Sequence, residues 1–102
     1  MIYCFDIDGT ICSNTDGEYE DAKPFFEIIE RVNRLFEEGN TIYFYTARGA
    51  STGKDWSEIT KSQLETWSVK YHQLFFGKPT ADIYIDDKAI GIKDWLNKVN
   101  NA

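Results

Sequence analysis

The run Thr41-Ile-Tyr-Phe-Tyr45 is β-branched or aromatic at every position. Such a run, with no polar alternation, suits a strand covered on both faces, as in a parallel sheet between helices. The rest of the chain agrees with that demand. Residues 24 to 38 place Phe25, Ile28, Ile29, Val32, Leu35 and Phe36 at three- and four-residue steps, with Pro24 suited to a first helical turn and Gly39 to the position just past its end. A second helix is predicted from Trp56 to Val69, with Trp56, Ile59, Gln63, Trp67 and then Tyr71 on one stripe and Asp55 or Ser57 as its cap. Met1-Ile-Tyr-Cys-Phe5 reads as an earlier strand, Gln73-Leu-Phe-Phe76 and Asp82-Ile-Tyr-Ile85 as two short later ones, and Lys93 to Val99 as a last short helix. Strands alternating with helices imply an α/β fold of right-handed parallel βαβ units.

At 102 residues, the chain is expected to form one domain spanning 1–102, burying roughly two-thirds of its unfolded surface. No stretch approaches the ~20 apolar residues of a membrane span, and Asp6 and Asp8 interrupt the first apolar run where a signal core would continue. The expected location is therefore cytoplasmic, with no membrane partner. The formal net charge of −6 argues against a nucleic-acid partner, because phosphate backbones are bound by stripes of Lys and Arg. Only Arg48, Lys54 and Lys78 lie in plausible site loops, so an anionic substrate needs a metal ion to complete the positive potential. Cys4 and Cys12 lack the spacing of a zinc site; Cys4 reads as core and Cys12 as a bystander beside the turn. The lone His72 has no second ligand spaced to join it at a metal and reads as structural.

In open α/β sheets, ligands gather at the carboxyl ends of the strands. Those ends carry Asp6-Ile7-Asp8-Gly9-Thr10, Thr46-Ala47-Arg48-Gly49, Lys78 and Asp86-Asp87. In extended backbone Asp6 and Asp8 project to the same side, close enough to share a cation or divide a reaction. Gly9 frees the following turn to take positive φ. A calcium loop opens with the same letters, but it requires Gly at its sixth position and Glu at its twelfth; counting from Asp6, those are Ile11 and Gly17. Taken singly, Asp-x-Asp-Gly and Asp86-Asp87 also suit plain turns, Thr46 a strand-end cap and Lys78 a solvated lysine. Their recurrence at consecutive strand ends favours a site.

Asp6-x-Asp8-Gly9-Thr10 after the first strand, Thr46 ending the second, Lys78 before the fourth and Asp86-Asp87 ending it resemble, in order, spacing and strand context, the four motifs of the haloacid-dehalogenase (HAD) superfamily phosphatases. The resemblance covers essentially the whole chain. It implies a three-layer Rossmann-like core with four main strands in the order 4-1-2-3. It implies Asp6 as the nucleophile, forming an aspartyl-phosphate, and Asp8 as the general acid and base. A carboxylate at position 8 sets the chain apart from the dehalogenase branch. Mg²⁺ is the implied cofactor, held by Asp6, the main-chain carbonyl of Asp8 and Asp86, with Asp87 acting through water. Thr46 and Lys78 would hold the transferring oxygens, and Gly9, Thr10, Ala47 and Arg48 would contact substrate.

HAD enzymes insert substrate-selecting caps after the first strand or between the second and third motifs; here those intervals hold about one helix each plus loops, which resembles the capless type. The flap from Ile11 to Lys23 and the loop Ala47 to Asp55 would then line an open mouth. A bulky substrate enters such a mouth directly, or a second subunit of a homo-oligomer covers it. Arg48 reads either as a clamp for a second substrate group or as a structural or solvent-facing arginine, and Gly49 and Gly53 suggest that their loop moves. The stretches Tyr45-Thr-Ala-Arg-Gly49, Thr52-Gly-Lys-Asp-Trp56, Phe76-Gly-Lys-Pro79 and Tyr84-Ile-Asp-Asp-Lys-Ala89 are similar to small capless phosphatases encoded among bacterial capsule and surface-polysaccharide genes. That similarity implies a small sugar or polyol phosphate as the metabolite partner. Macromolecular phosphates, a phospho-receiver and a silent binding module are the alternatives.

Overall fold

The computed structural model describes residues 1–77 and 81–88. Strand β1 (Ile2–Asp6) is followed by helix α1 (Phe26–Glu37), β2 (Thr41–Tyr45), α2 (Ser57–Thr66), β3 (Gln73–Phe75) and β4 (Ile83–Ile85). All pairings are parallel, in the order β3-β2-β1-β4, the order expected. Asp6 pairs with Tyr45 at the carboxyl ends of β1 and β2. Because β2 and β3 continue to one side of β1 and β4 joins the other, the connections diverge beside β1. That divergence opens a crevice at the strands' carboxyl ends. The helix predicted at Lys93 to Val99 lies outside the described residues, as does Lys78.

One apolar cluster joins Phe5, Ile42 and Phe44 of the sheet to Ile29 and Val32 of α1 and to Leu64 and Trp67 from α2. α1 begins two residues later than its spacing predicts. Pro24 is held in a bridge to Cys12 and the Phe25 N–H donates to the Ile11 carbonyl, so neither enters the first turn. Phe25 and Phe26 consequently stand exposed. α2 is shorter than predicted at both ends, with Ser68 at φ 57° ending it and the Asp55 carboxylate accepting from the Ser57 N–H. Trp56 and Trp67 of the predicted stripe are buried, but between them Thr60 and Leu64 go inside while Ile59 is 37% exposed. The Thr60 hydroxyl is satisfied inside, donating to the Trp56 carbonyl at 2.7 Å. His72 is structural, as expected: its Nδ1 accepts from the Ile42 N–H, and its ring stacks on Phe36. Cys4 is fully buried. Among the described residues no helix is long and apolar enough to cross a membrane.

Candidate active site

β1 delivers Asp6 to the crevice. The Ile7 N–H donates to Asp6 Oδ1 at 2.8 Å, fixing that carboxylate against the turn that follows. Burial, then the neighbouring Asp86, Asp8 and Asp87 carboxylates, push the Asp6 carboxyl up to about 6, although the Ile7 hydrogen bond pulls the other way. Asp86 and Asp87 come from the end of β4. Ligand oxygens of Asp6, Asp86 and Asp87 lie within 4.8 Å of one another. Three carboxylates at such a spacing repel, and hard oxygen donors in this number suit a divalent cation such as Mg²⁺. Gly9, at φ 85°, makes the approach of Asp87 feasible, because a Cβ there would stand 2.2 Å from Asp87 Oδ2.

Asp8 is turned to a different use. Its Oδ2 accepts from Arg48 Nε at 2.9 Å and its Oδ1 from Arg48 Nη2 at 2.8 Å, a two-pronged ion pair in which the Arg48 side chain is fully buried. Arg48 Nη1 donates to Thr60 Oγ1 and to Gln63 Oε1, and Nη2 also faces the Cys12 sulfur. Its guanidinium also lies over the Tyr19 ring at 4.7 Å. Every side-chain N–H of Arg48 therefore faces a protein partner, the structural arrangement that its sequence also allowed beside the clamp. Its partner Asp8 lies 40 residues away along the chain, so the pairing itself was not legible.

The remaining candidates fall around these two centres. The N–H groups of Gly9 and Thr10 close the turn onto the Cys12 and Ile7 carbonyls, and the buried Thr10 hydroxyl has no partner among the described residues. Thr46 is buried, its hydroxyl accepting from the Arg48 N–H at 3.1 Å. Ala47 is exposed on the wall above the acids. Cys12 is no bystander: its thiol contacts Asp8 Oδ1 at 3.6 Å, and burial, then the Asp8 charge, push the thiol up to about 12. The flap 11–23 closes at its base through Ser13 and Lys23, and Gln63 Nε2 ties it to α2 by donating to the Tyr19 carbonyl at 2.6 Å.

Sequence reasoning passed over Tyr45, Gln63, Thr60 and Tyr19. Tyr45 donates its hydroxyl to Asp86 Oδ2 at 2.6 Å; burial first, and then this bond to the carboxylate, raise its pKa well above the tyrosine range. Its place at the end of β2, beside Asp6, was the available signal. Thr60 and Gln63, three apart on one helix, had the spacing of a shared face. The acids, Asp8 and the flap enclose a cavity of about 460 Å³. Three carboxylates spaced to hold a metal ion, a nearby carboxylate held separately and room for a small molecule lie together at this end of the sheet.

No family model and no curated protein matches the chain. Solved structures do. A crystal structure of a target protein from Vibrio cholerae is 23% identical at a TM-score of 0.67, covering 99% of this chain and 95% of its own. A structure of the Pnkp1/Rnl/Hen1 complex is 13% identical at a TM-score of 0.58, over 96% of this chain and 32% of the matched one. The structure of the Pnkp1/Rnl/Hen1 RNA repair complex is 14% identical at 0.57, over 96% and 29%. At these identities the likeness is one of fold, shared with the Vibrio cholerae protein over almost the whole of both chains.

Proposed function

We propose that the chain is a HAD-type phosphomonoester hydrolase that works with Mg²⁺ and acts on a small sugar or polyol phosphate. The observation that carries this reading is the division of labour within one turn. Asp6 joins Asp86 and Asp87 in a cation-sized cluster, while Asp8, two residues on, is braced apart by Arg48. The bound ion would supply positive charge against the three carboxylates and the phosphoryl oxygens. Asp6 attacks phosphorus, and the bond from phosphorus to the leaving alcohol breaks as protonated Asp8, one of its oxygens freed from Arg48, gives that oxygen its proton. A water then attacks the aspartyl-phosphate, Asp8 takes its proton, and the bond from phosphorus to Asp6 breaks to release inorganic phosphate. Tyr45 holds Asp86 in place throughout. Thr46 and Lys78 are the proposed partners of the transferring oxygens.

Strand order supports this reading over a phospho-receiver, whose flavodoxin-like sheet runs 2-1-3-4-5. Likeness to chains of an RNA repair complex favours one second reading, a polynucleotide end as substrate, which the net charge of −6 opposes. The test is phosphate release from a panel of sugar phosphates, polyol phosphates and a 3′-phosphorylated oligoribonucleotide. We expect turnover of small phosphomonoesters that EDTA stops and Mg²⁺ restores, and that Asp6→Asn abolishes with the circular dichroism spectrum unchanged. Undiminished turnover in EDTA, or in Asp6→Asn, removes the mechanism; preference for the oligonucleotide replaces the substrate.

A further inference from the structure

Beside the acid cavity lies a second cleft of about 530 Å³, at the carboxyl ends of β2 and β3. Ala47 and Arg48 form a wall common to both. Tyr45 links them as well: it is among the residues lining the cleft, while its hydroxyl reaches Asp86 in the acid cluster. The two differ in chemistry. The first gathers carboxylates around the proposed phosphoryl position; the second is lined by Tyr45, Trp56, Phe76 and Ala50.

The polar groups around this cleft are largely engaged. Thr46 accepts from the Arg48 N–H, Arg48 is bound to Asp8, and the Asp55 carboxylate accepts from the Ser57 N–H at 2.9 Å. Lys54 rests its ammonium over the Trp56 ring at 4.3 Å, which covers that ring and leaves Phe76 as the open aromatic surface. Phe76 is 48% exposed. The far wall is built rather than loose. Gly49 lies so close to the Lys54 carbonyl that a Cβ would stand 2.1 Å from that oxygen, and the Gly53 N–H donates to the Gly49 carbonyl at 2.7 Å.

We propose that this cleft is the leaving-group subsite, and that it selects a phosphomonoester whose alcohol is a ring with a flat apolar face, in preference to an open-chain polyol. The inference rests on the phosphatase reading above. A phosphoryl group at Asp6 places its leaving alcohol across the shared wall of Ala47 and Arg48, where the ring lies on Phe76. The Lys54 ammonium, which makes no ion pair among the described residues, is the donor for ring hydroxyls or an acidic substituent. A cleft of this volume takes a monosaccharide or a nucleoside. A pyranose and a nucleobase share the stacking face, and substrates separate them.

The experiment compares kcat/KM for glucose 6-phosphate, sorbitol 6-phosphate and adenosine 5′-monophosphate in wild type, Phe76→Ala and Phe76→Trp. The first two carry the phosphate on the same primary carbon and differ in ring against chain. We expect the better cyclic substrate to exceed sorbitol 6-phosphate by about tenfold, through KM. Phe76→Ala should bring that ratio towards one, and Phe76→Trp should keep it. The larger of the two cyclic values names the ring as sugar or base. Thermal melting checks that the Phe76 variants fold, as a half-exposed position allows. Equal values for ring and chain in the wild type overturn the subsite, as does a ratio unmoved by Phe76→Ala, while leaving the phosphatase reading intact. Absence of turnover on every phosphomonoester overturns both.

Discussion

Arg48 commits every side-chain N–H to neighbouring protein atoms. Its buried guanidinium holds Asp8 by both oxygens, with Thr60, Gln63 and Tyr19 around it. Removing one partner of a buried pair leaves the other charge without compensation, at about 3–5 kcal/mol. Arg48→Ala is therefore expected to lose about that much stability in urea unfolding, and an unchanged midpoint would show the brace to be idle. If Asp8 protonates the leaving oxygen from the position Arg48 imposes, the loss of rate depends on that oxygen's basicity. Turnover of an alkyl phosphate by Arg48→Ala should fall by about 100-fold or more, and turnover of p-nitrophenyl phosphate, whose phenolate leaves unaided, by much less. Equal losses on both would assign Arg48 a structural role alone. Cys12 permits a different check. Its thiol is fully buried and pushed up to about 12, by burial first and then by Asp8, so it stays protonated and unreactive at pH 8. Iodoacetamide should label neither cysteine of the native protein and both after unfolding; rapid native labelling of Cys12 would contradict this packing.

The turn after β1 is where local backbone and distant site meet. Gly9 takes positive φ, and its missing Cβ is the space into which the Asp87 carboxylate from the end of β4 fits. Gly9→Ala therefore carries two penalties: about 1–2 kcal/mol for a left-handed non-glycine residue, and displacement of a carboxylate from the acid cluster. We expect it to weaken Mg²⁺ binding by about tenfold or more, measured by calorimetric titration; an unchanged affinity would show that Asp87 takes no part in holding the ion. In the loop after β2 the missing Cβ of Gly49 serves close approach of backbone to backbone: a Cβ there would stand 2.1 Å from the Lys54 carbonyl, and the Gly49 carbonyl accepts from the Gly53 N–H. The predicted stripe of α2 holds at Trp56 and Trp67 and fails between them, because apolarity alone favoured Ile59 whereas Thr60 goes inside with both its hydroxyl bonds made. A helical stripe read by hydrophobicity misses a polar residue that brings its partners with it.

Across the whole molecule, a chain of net charge −6 concentrates three carboxylates at one end of its sheet. A cation bound there and not to the unfolded chain stabilises the fold by mass action, about 2.7 kcal/mol at a hundredfold excess over its dissociation constant. The melting temperature should accordingly rise with the logarithm of Mg²⁺ concentration in wild type and much less in Asp86→Asn; parallel behaviour of the two would relocate the ion. The sequence alone determined the parallel α/β architecture, since unbroken β-branched and aromatic runs alternating with helical periods leave few other ways to bury them. It also determined which acids end strands, because Asp6 and Asp86 interrupt apolar runs that cannot continue past a charge. What only the tertiary structure decided is how those acids are partnered. The pairing of Asp8 with Arg48, the tether from Tyr45 to Asp86, the space at Gly9 for Asp87 and the aromatic cleft each join segments dozens of residues apart. Periodicity and propensity act over a few residues along the chain, whereas burial and charge act through space, and the identity of a side chain does not state which distant group the fold will set against it.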